Sequence, residues 1–306
     1  MIETQKDVSL GHKIIFSSII FIMKSGFAVL IGRSNVGKST LINNLVGTKV
    51  AITTPKPQTT RRPLQGVLTR DDSQVVFVDT PGVMQKSKDQ LTSKLLQFIK
   101  DSLKDIDMIL YVADPTREIG NEEKQTLKMI EPLTQPKLLI INKIDDSRSK
   151  MYIDVYRDLG EEQFDKVIEV SALKGLNTNY LKDWIFEQLP EGEFYYPEHA
   201  VSNITKEEQL AEIVREKLFL RLRQEVPYST HVEVDEISNR KDGTLYIKAR
   251  VLTTEERYKG MIIGLGGRGI KEIGQSTRKE LEAMTDKKVY IDLSVKVDPR
   301  WIERLV

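Results

Sequence analysis

The stretch Gly32-Arg-Ser-Asn-Val-Gly-Lys-Ser39 comes directly after the apolar run Phe27–Ile31. Its spacing, G-x-x-x-x-G-K-S behind a predicted strand, is that of a phosphate-binding loop. Glycine lets the backbone curl around a phosphate, and the helix that follows adds its positive N-terminal end. We expect Lys38 to reach the terminal phosphates of a nucleoside triphosphate and Ser39 to bind Mg²⁺. The predicted phosphate contacts are Gly32, Asn35, Val36, Gly37, Lys38, Ser39, Thr40 and, from a later loop, Gly82.

The length and composition of the chain restrict the class of protein. The 306 residues are enough for two domains, and 40% hydrophobic with 30% charged residues is typical of a globular protein. The chain has no cysteine, which excludes disulfides and thiolate metal sites and favours a reducing compartment. A net charge of +1 excludes a general attraction to nucleic acid, so any such surface must be local. We expect a cytoplasmic protein.

The N-terminal segment carries the apolar run Ile14–Met23. Ten residues cannot span a bilayer, which needs about 20. A secretory signal would need a small-residue cleavage site, and none precedes the phosphate loop. We therefore interpret residues 1–23 as an extension from an upstream start codon. Peripheral contact with the inner face of the membrane is the alternative interpretation.

Residues 24–189 alternate short apolar runs with amphipathic stretches. The runs lack strict alternation, as expected of strands covered on both faces, and the strand–helix repetition predicts an α/β fold with a doubly wound, mainly parallel sheet. Ligands of such sheets bind at the carboxyl ends of the strands. The predicted strands are Phe27–Ile31, Val67–Thr69, Val75–Val78, Met108–Ala113, Lys137–Ile141 and Val167–Val170, and the predicted helices are Lys38–Val46, Leu91–Leu103, Glu122–Ile130, Lys150–Leu159 and Asn179–Leu189.

Residues 190–203 read as a linker, because Pro190 and Pro197 bracket a polar stretch. Residues 204–306 then show a different pattern, which predicts a smaller α+β domain with the order α-β-β-α-GxxG-α-β. Its predicted elements are the helix Glu207–Glu225, the strands His231–Ile237 and Thr244–Leu252, the helices Glu255–Ile263 and Ile270–Met284, and the strand Lys288–Val297.

Two further loops are predicted to sense the terminal phosphate. Asp79-Thr80-Pro81-Gly82 follows a buried strand, where a carboxylate can hold Mg²⁺, usually through water. The polar loop 53–62 is broken by proline, and one of its threonines would close on the metal; we favour Thr60 over Thr59. The predicted residues are Gln58, Thr59, Thr60 and Arg61 for switch I, Asp79, Thr80, Pro81 and Val83 for switch II, and Ser39, Thr60 and Asp79 for Mg²⁺.

The base is predicted from Asn142-Lys143-Ile144-Asp145, which caps the strand Lys137–Ile141. A carboxylate there can accept hydrogen bonds from both the N1–H and the 2-amino group of guanine, whereas adenine would leave it unpaired. The Lys143 stem can cover the base. The predicted guanine contacts are Asn142, Lys143, Asp145, Ser171 and Ala172, of which Ala172 would offer its N–H to the guanine O6.

A nucleic-acid surface is predicted around Gly264-Leu265-Gly266-Gly267. Glycines between two helices let the backbone approach a nucleic-acid backbone, and the rim of this loop is basic. Ile262, Ile263 and Ile270 are candidates for an apolar floor beneath the bases. The predicted RNA contacts are Gly264, Leu265, Gly266, Gly267, Arg268, Lys271, Arg257 and Lys259.

The combined set GRSNVGKS, QTTR, DTPG, NKID and SAL, followed by the GxxG domain, resembles the Era family of GTPases over about residues 24–300. The resemblance implies a type II KH domain that binds the 3′ end of 16S rRNA, and a role for GTP in assembly of the small (30S) ribosomal subunit. It also implies a monomer that binds GTP and GDP with Mg²⁺. Asn35 matches an asparagine that binds a monovalent cation in related GTPases, so K⁺ activation is a hypothesis.

Three positions qualify the resemblance. Val83 stands where Ras-like enzymes have a water-orienting glutamine, so we expect slow hydrolysis. Ser34 replaces a common proline, and Leu265 replaces a common lysine, which removes one phosphate contact. Two alternatives stay open: a regulatory GTPase whose C-terminal domain binds protein or membrane, and a metabolic hydrolase without a switch.

Overall fold

A computed structural model of the chain describes residues 22–57, 59–83 and 90–304. The first domain contains the strands β1 (Lys24–Ile31), β2 (Leu64–Arg70), β3 (Ser73–Asp79), β4 (Met108–Ala113), β5 (Lys137–Ile141) and β6 (Lys166–Glu169), and the helices α1 (Lys38–Val46), α2 (Gln90–Ser102), α3 (Asn121–Ile130), α4 (Ile153–Gln163) and α5 (Thr178–Glu187). The second contains α6 (Lys206–Arg221), β7 (Thr230–Asn239), β8 (Leu245–Thr253), α7 (Glu256–Ile263), α8 (Arg268–Thr285) and β9 (Val289–Val297).

The first sheet has the order β2-β3-β1-β4-β5-β6, and β2 is its antiparallel member. Buried side chains form a hydrophobic cluster on each face, one against α1 and α5 and the other against α2, α3 and α4. Coverage on both faces explains why the strands read as continuous apolar runs. The predicted doubly wound α/β fold is confirmed.

Two predicted helices differ from the structure. The stretch predicted as Lys150–Leu159 is a 3-10 turn, Ser147–Met151, followed by α4. The Asp146 side chain accepts a hydrogen bond from the Arg148 N–H and so begins that tight turn early. The predicted helix Glu207–Glu225 ends at Arg221, because the chain turns at Gln224, whose φ is +52°, before a proline-containing 3-10 turn.

Residues 190–203 lie along the first sheet. The Ser25 N–H donates to the Pro190 carbonyl, and the Val67 N–H donates to the Val201 carbonyl. The Asn203 N–H donates to the Gln65 carbonyl, also on β2. The segment predicted as a linker is therefore hydrogen-bonded to the edge of the first domain, and α6 begins directly after it at the N-cap Thr205.

The second sheet has the order β7-β8-β9, with β8 antiparallel to β7 and parallel to β9. Its apolar face packs on the three helices of this domain, around Val232, Ala249, Val251 and Ile262. The predicted element order is confirmed. Within the described ranges, no helix is both long and apolar enough to cross a bilayer.

Candidate nucleotide site and nucleic-acid groove

The phosphate loop has the backbone that its glycines predict. Gly32 has φ +156° and Gly37 has φ +100°. A side chain at Gly32 would place its Cβ 2.3 Å from the Val112 carbonyl oxygen, and one at Gly37 would meet the Asn142 amide at the same distance. Both positions therefore exclude any larger residue. The loop borders a cleft of about 340 Å³. The cleft is also lined by Thr40, by residues of switch I and by Gly82.

Lys38 lies buried beneath this loop, where its Nζ donates to the carbonyls of Gly32 (3.0 Å) and Arg33 (3.1 Å). Burial lowers the pKa of the Lys38 amine to about 8, and the charge of Asp79 opposes this shift. A desolvated amine held by two carbonyls is poised to exchange them for phosphate oxygens. This is the position that the sequence predicted for it.

Three oxygen groups from separate segments meet at the predicted metal site. The Ser39 hydroxyl donates to Asp79 Oδ2 at 2.8 Å, and the Thr60 hydroxyl lies 3.2 Å from the same oxygen and 3.1 Å from Ser39. The other oxygen, Asp79 Oδ1, is buried without a partner among the described residues. Burial raises the pKa of this carboxyl, which a cation would oppose. A hard oxygen set with an orphaned carboxylate oxygen fits Mg²⁺.

Thr60 of switch I, rather than Thr59, lies at the predicted metal site. Thr59 turns away from the metal site, and its hydroxyl bonds the Lys56 carbonyl and the Thr54 hydroxyl. The Asn35 amide donates to the Pro55 carbonyl at 2.8 Å, so the phosphate loop already touches switch I. Gln58, also predicted here, lies outside the described residues.

Of the described switch II residues, Gly82 lines the cleft and Asp79 lies at the predicted metal site. The Thr80 hydroxyl donates to the Leu30 carbonyl, and both Thr80 and Pro81 are buried. Val83 is 1% exposed and packs in the core behind the phosphate loop. It therefore presents no group to the cleft. Residues 84–89 are outside the described ranges.

The predicted guanine contacts gather at the carboxyl ends of β5 and β6. The Asn142 amide donates to the Val36 carbonyl, and its oxygen accepts from the Ala172 N–H, both at 2.9 Å. The Ser171 hydroxyl donates to Asp145 at 2.5 Å, which fixes the carboxylate. Asn142 thus connects the base edge to the phosphate loop. The Ala172 N–H, which was predicted to donate to the guanine O6, is buried in this structure and donates to the Asn142 side chain.

Sequence analysis missed Asp114, which directly follows β4. Its carboxylate binds Lys143 Nζ at 2.7 Å and the Thr116 hydroxyl at 2.6 Å, and it is 1% exposed. Lys143 also donates to the Asn35 carbonyl at 2.6 Å. Asp114 therefore holds the lysine against the phosphate loop. Its position at the end of a predicted strand was the available signal.

Sequence analysis also missed a buried ion pair behind the loop. Arg33 Nε lies 2.6 Å from Glu123 of α3, and the two side chains are 7% and 1% exposed. The second nitrogen, Nη1, also donates to Glu123 and to the Glu118 carbonyl. Nothing in the linear spacing links residues 33 and 123.

The GxxG loop is open to solvent. Leu265 is 80% exposed, and a Cβ at Gly266 or Gly267 would meet no atom within 4 Å. Both glycines have positive φ, +61° and +76°, which L side chains rarely adopt. Gly264 is different, because its Cβ would lie 2.9 Å from the Gly269 N. The loop thus offers bare backbone to a ligand.

Beside the loop, a groove of about 460 Å³ runs between α8 and the edge strand β9. The predicted apolar floor is partly wrong, because Ile262 is fully buried in the core. Ile270 lines the groove as predicted, together with Ile291 and Leu293, which sequence analysis missed. A Cβ at Gly274 would lie in ordinary van der Waals contact with Leu293, at 3.6 Å, so the position tolerates a small side chain.

The predicted RNA cations divide into two groups. Lys271 lines the groove, and so does Arg278, which lies about two helical turns further along α8. Arg268 is exposed at the start of that helix. Arg257 and Lys259 instead pair with carboxylates on or beside α7, Glu255 at 2.7 Å and Glu256 at 3.4 Å, and neither lines the groove.

Arg61 of switch I reaches into the second domain. Its guanidinium donates to the carbonyls of Thr230, Pro227 and Tyr228, the latter two at 3.1 Å. It lies 5.4 Å from the Phe219 ring and 5.2 Å from the Trp301 ring. The residue next to the metal-site threonine is therefore held by the second domain.

The helix after switch II touches the same region. Leu91 and Leu95 of α2 pack with Leu252 and Trp301, and Lys94 Nζ donates to the Ile302 carbonyl at 2.9 Å. Arg61 of switch I and the helix that follows switch II consequently both contact the segment 299–304.

The carboxyl edge of the first sheet thus carries a phosphate loop, a set of hard oxygen groups and a carboxylate in the predicted guanine motif, an arrangement that defines a GTPase of the phosphate-loop class. Comparison with family models supports this class. Residues 27–143 match the family described as 50S ribosome-binding GTPase, and residues 225–302 match the KH domain family.

Similar proteins make the assignment more specific. The GTPase Era of Halothermothrix orenii is 41% identical over 281 residues, covering 92% of this chain and 95% of that protein. The GTPase Era of Thermoanaerobacter sp. is 40% identical over 282 residues, covering 91% and 92%. This chain belongs to the GTPase Era family.

Two solved structures have the same two-domain fold. One is Era in complex with MgGDPNP and nucleotides 1506–1542 of 16S ribosomal RNA, and the other is a variant of Aquifex aeolicus Era bound to GDP·AlF4⁻. Each has a TM-score of 0.86 and 38% identity, and the match covers 92% of this chain and 96% of the other.

Proposed function

We propose that this GTPase is a GTP-driven switch in assembly of the small ribosomal subunit, and that its KH domain binds the 3′ end of 16S rRNA. The observation that carries the proposal is the solvent-open GxxG loop beside an apolar groove. A single strand fits there, because its phosphates can approach Gly266 and Gly267 while its bases lie over Ile291 and Leu293. A related protein, 38% identical, was crystallised with a 16S rRNA fragment and MgGDPNP together.

In the nucleotide cleft, Ser39, Thr60 and Asp79 would hold Mg²⁺, the last through water. The metal would supply charge that stabilises the transferring phosphoryl group. Lys38 and the loop N–H groups would orient the phosphates, and Asp145 would select guanine. Val83 lies in the core, so no residue at this position orients the attacking water, and we propose slow hydrolysis.

We further propose that K⁺ accelerates hydrolysis. The Asn35 side chain contacts a switch I carbonyl, Pro55, beside the phosphate loop. Oxygen groups of this kind can hold a monovalent cation near the phosphates, where its charge would act as an arginine finger does. Equal hydrolysis rates in KCl and NaCl would contradict this part.

Arg61 would transmit the state of the cleft to the KH domain. Thr60 would bind the metal when switch I is ordered, and the adjacent Arg61 is held by three carbonyls of the second domain. Loss of the terminal phosphate would release Thr60 and strain or free the Arg61 contacts. We propose a cytoplasmic monomer. Membrane contact by the N-terminal extension falls on residues 1–21, which lie outside the described ranges.

The test is binding of the full chain to nucleotides 1506–1542 of 16S rRNA with a GTP analogue, with GDP and without nucleotide. We expect affinity to differ among the three states and to fall steeply with added salt, because phosphate contacts release counterions. An unrelated single strand of the same length is the control. Equal affinity for both RNAs, or none for either, would refute the RNA proposal and leave a protein- or membrane-binding GTPase.

A further inference from the structure

A pair of stacked tyrosines lies on the KH sheet, on the face opposite its helices. Tyr246 of β8 and Tyr290 of β9 are direct neighbours in register, with ring centroids 5.8 Å apart and planes inclined by 15°. Tyr290 is 50% exposed. The neighbouring residues Ile247 and Ile291 point into the core, so the tyrosines face away from it.

Arg240 covers this pair. Its guanidinium carbon lies 4.8 Å from the Tyr246 centroid and 4.5 Å from the Tyr290 centroid. Lys241 follows Arg240 in the chain, and Lys287 and Lys288 lie in the loop before β9. The Leu245 N–H donates to the Lys288 carbonyl, which joins this loop to the start of β8. The two turns together carry four cations and two carboxylates, so this end of the sheet is locally positive.

The tyrosines and the groove share one strand. β9 is the edge strand of the sheet, and Tyr290 is among the residues that line the groove between α8 and β9. A chain that leaves the groove across β9 arrives at the Tyr246–Tyr290 pair without crossing another element. The four cations of the two turns lie at the end of the sheet that carries this pair, and their charge matches that of a phosphate backbone.

We infer that Tyr246, Tyr290 and Arg240 form a second RNA contact, a stacking platform for unpaired bases that extend beyond the groove. Aromatic rings and guanidinium planes stack on any base, and the surrounding lysines contact phosphates without reading sequence. The platform would lengthen the bound strand and raise affinity for long RNAs only. This inference rests on the proposed RNA-binding function of the groove.

The experiment compares two lengths of single-stranded RNA taken from the 16S rRNA 3′ end. One has about four nucleotides, the length that a GxxG groove holds. The others have about ten and extend it at either end. Affinities are measured with the full chain and a GTP analogue. Arg240→Gln is expected to weaken at least one ten-nucleotide RNA about ten-fold and to leave the four-nucleotide RNA unchanged. Tyr290→Ala is expected to weaken the same ten-nucleotide RNA about ten-fold and to weaken the four-nucleotide RNA less, because Tyr290 also borders the groove.

Two matched variants control for the fold. Tyr290→Phe keeps the ring and is expected to bind like the parent protein. Tyr180→Ala removes an exposed tyrosine that also has a cation nearby, Lys166 Nζ at 5.8 Å, but lies on the first domain, and it is expected to change neither affinity.

The inference is overturned if Arg240→Gln and Tyr290→Ala bind both lengths of RNA as the parent protein does. The tyrosine pair would then only stabilise the packing of the sheet. Equal weakening of both lengths would also overturn it, because the tyrosine would then act on the groove. Failure of the parent protein to bind either RNA refutes the proposed function itself and is distinguishable from both results.

Discussion

The guanidinium of Arg61, in switch I, lies 5.2 Å from the centroid of the Trp301 indole, 240 residues later in the chain. Trp301 is 1% exposed, and its ring nitrogen donates to the Ser229 carbonyl at 3.1 Å. The His231 ring also stacks on the indole, with ring centroids 5.4 Å apart. The relationship places the second domain's buried tryptophan directly against the loop predicted to be switch I.

Arg61→Ala is expected to loosen the docking of the two domains. Three carbonyls lose their donor and the Trp301 ring loses a covering group, so we expect the free energy of unfolding to fall by about 2 kcal/mol. In a Trp184→Phe background, Trp301 emission should shift to longer wavelength. Arg70→Ala is the control, because Arg70 stacks on Phe186 inside the first domain. Unchanged emission would contradict the docking role.

Asp145→Asn is expected to lower GTP affinity at least about 100-fold, because an amide cannot accept both guanine donors. Xanthosine triphosphate, with a carbonyl at the 2-position, should be bound better than by the parent protein. Asp146→Asn is the matched control, since Asp146 pairs with Arg148 at 2.5 Å and lies next in the chain. Competition binding measures both. Retained guanine preference in Asp145→Asn would contradict the assignment of Asp145 as the residue that recognises guanine.

Gly266→Asp is expected to abolish RNA binding and to leave GTP hydrolysis within about two-fold, since the glycine loop lies in the second domain and the nucleotide cleft in the first. A carboxylate there would face the RNA phosphates, and the positive φ adds strain. Gly47→Asp is the control, because Gly47 also has positive φ and open space but lies on the first domain. Retained RNA affinity in a filter-binding assay would exclude this loop as the contact.

The lowered pKa of Lys38 predicts that stability and triphosphate affinity both depend on pH. Its pKa is about 8 in the folded protein and 10.5 when free, so the unfolded state binds more protons between these values. Stability of the nucleotide-free protein should therefore rise from pH 8 to 10, relative to Lys38→Met. Triphosphate affinity should fall over the same range, because the amine loses its charge. The ratio of parent to variant affinities isolates Lys38, since both bind the same nucleotide. A flat ratio would contradict the assigned role.

Val83→Gln is expected not to accelerate hydrolysis. The side chain is 1% exposed, so glutamine there would bury an amide and cost about 1–3 kcal/mol of stability. Val155→Gln, at an exposed position of α4, is the control for stability. Single-turnover hydrolysis and thermal unfolding give the two readouts. A faster rate would mean that this position reaches the cleft when GTP is bound.

Much of the nucleotide site could be predicted because each part of it is encoded locally. The positive φ of Gly32 and Gly37 must be met by glycine, and Asp79 and Asn142 each end a predicted strand. Parallel strands bring their carboxyl ends to one edge, so the order of the motifs implied their meeting. The groove was predicted less well, since Ile262 and Ile270 have the same spacing signal but only one faces the ligand side.

The sequence by itself determined the phosphate loop, the base-binding motif, the order of elements in both domains and the glycine loop. These depend on backbone conformation and hydrophobic period over a few consecutive residues. The tertiary structure alone decided that Arg61 reaches Trp301, that Arg33 pairs with Glu123, and that residues 190–203 bind the first sheet. Those contacts join residues 90 or more positions apart or depend on which strand lies at an edge, and such neighbours are set by packing of the whole chain.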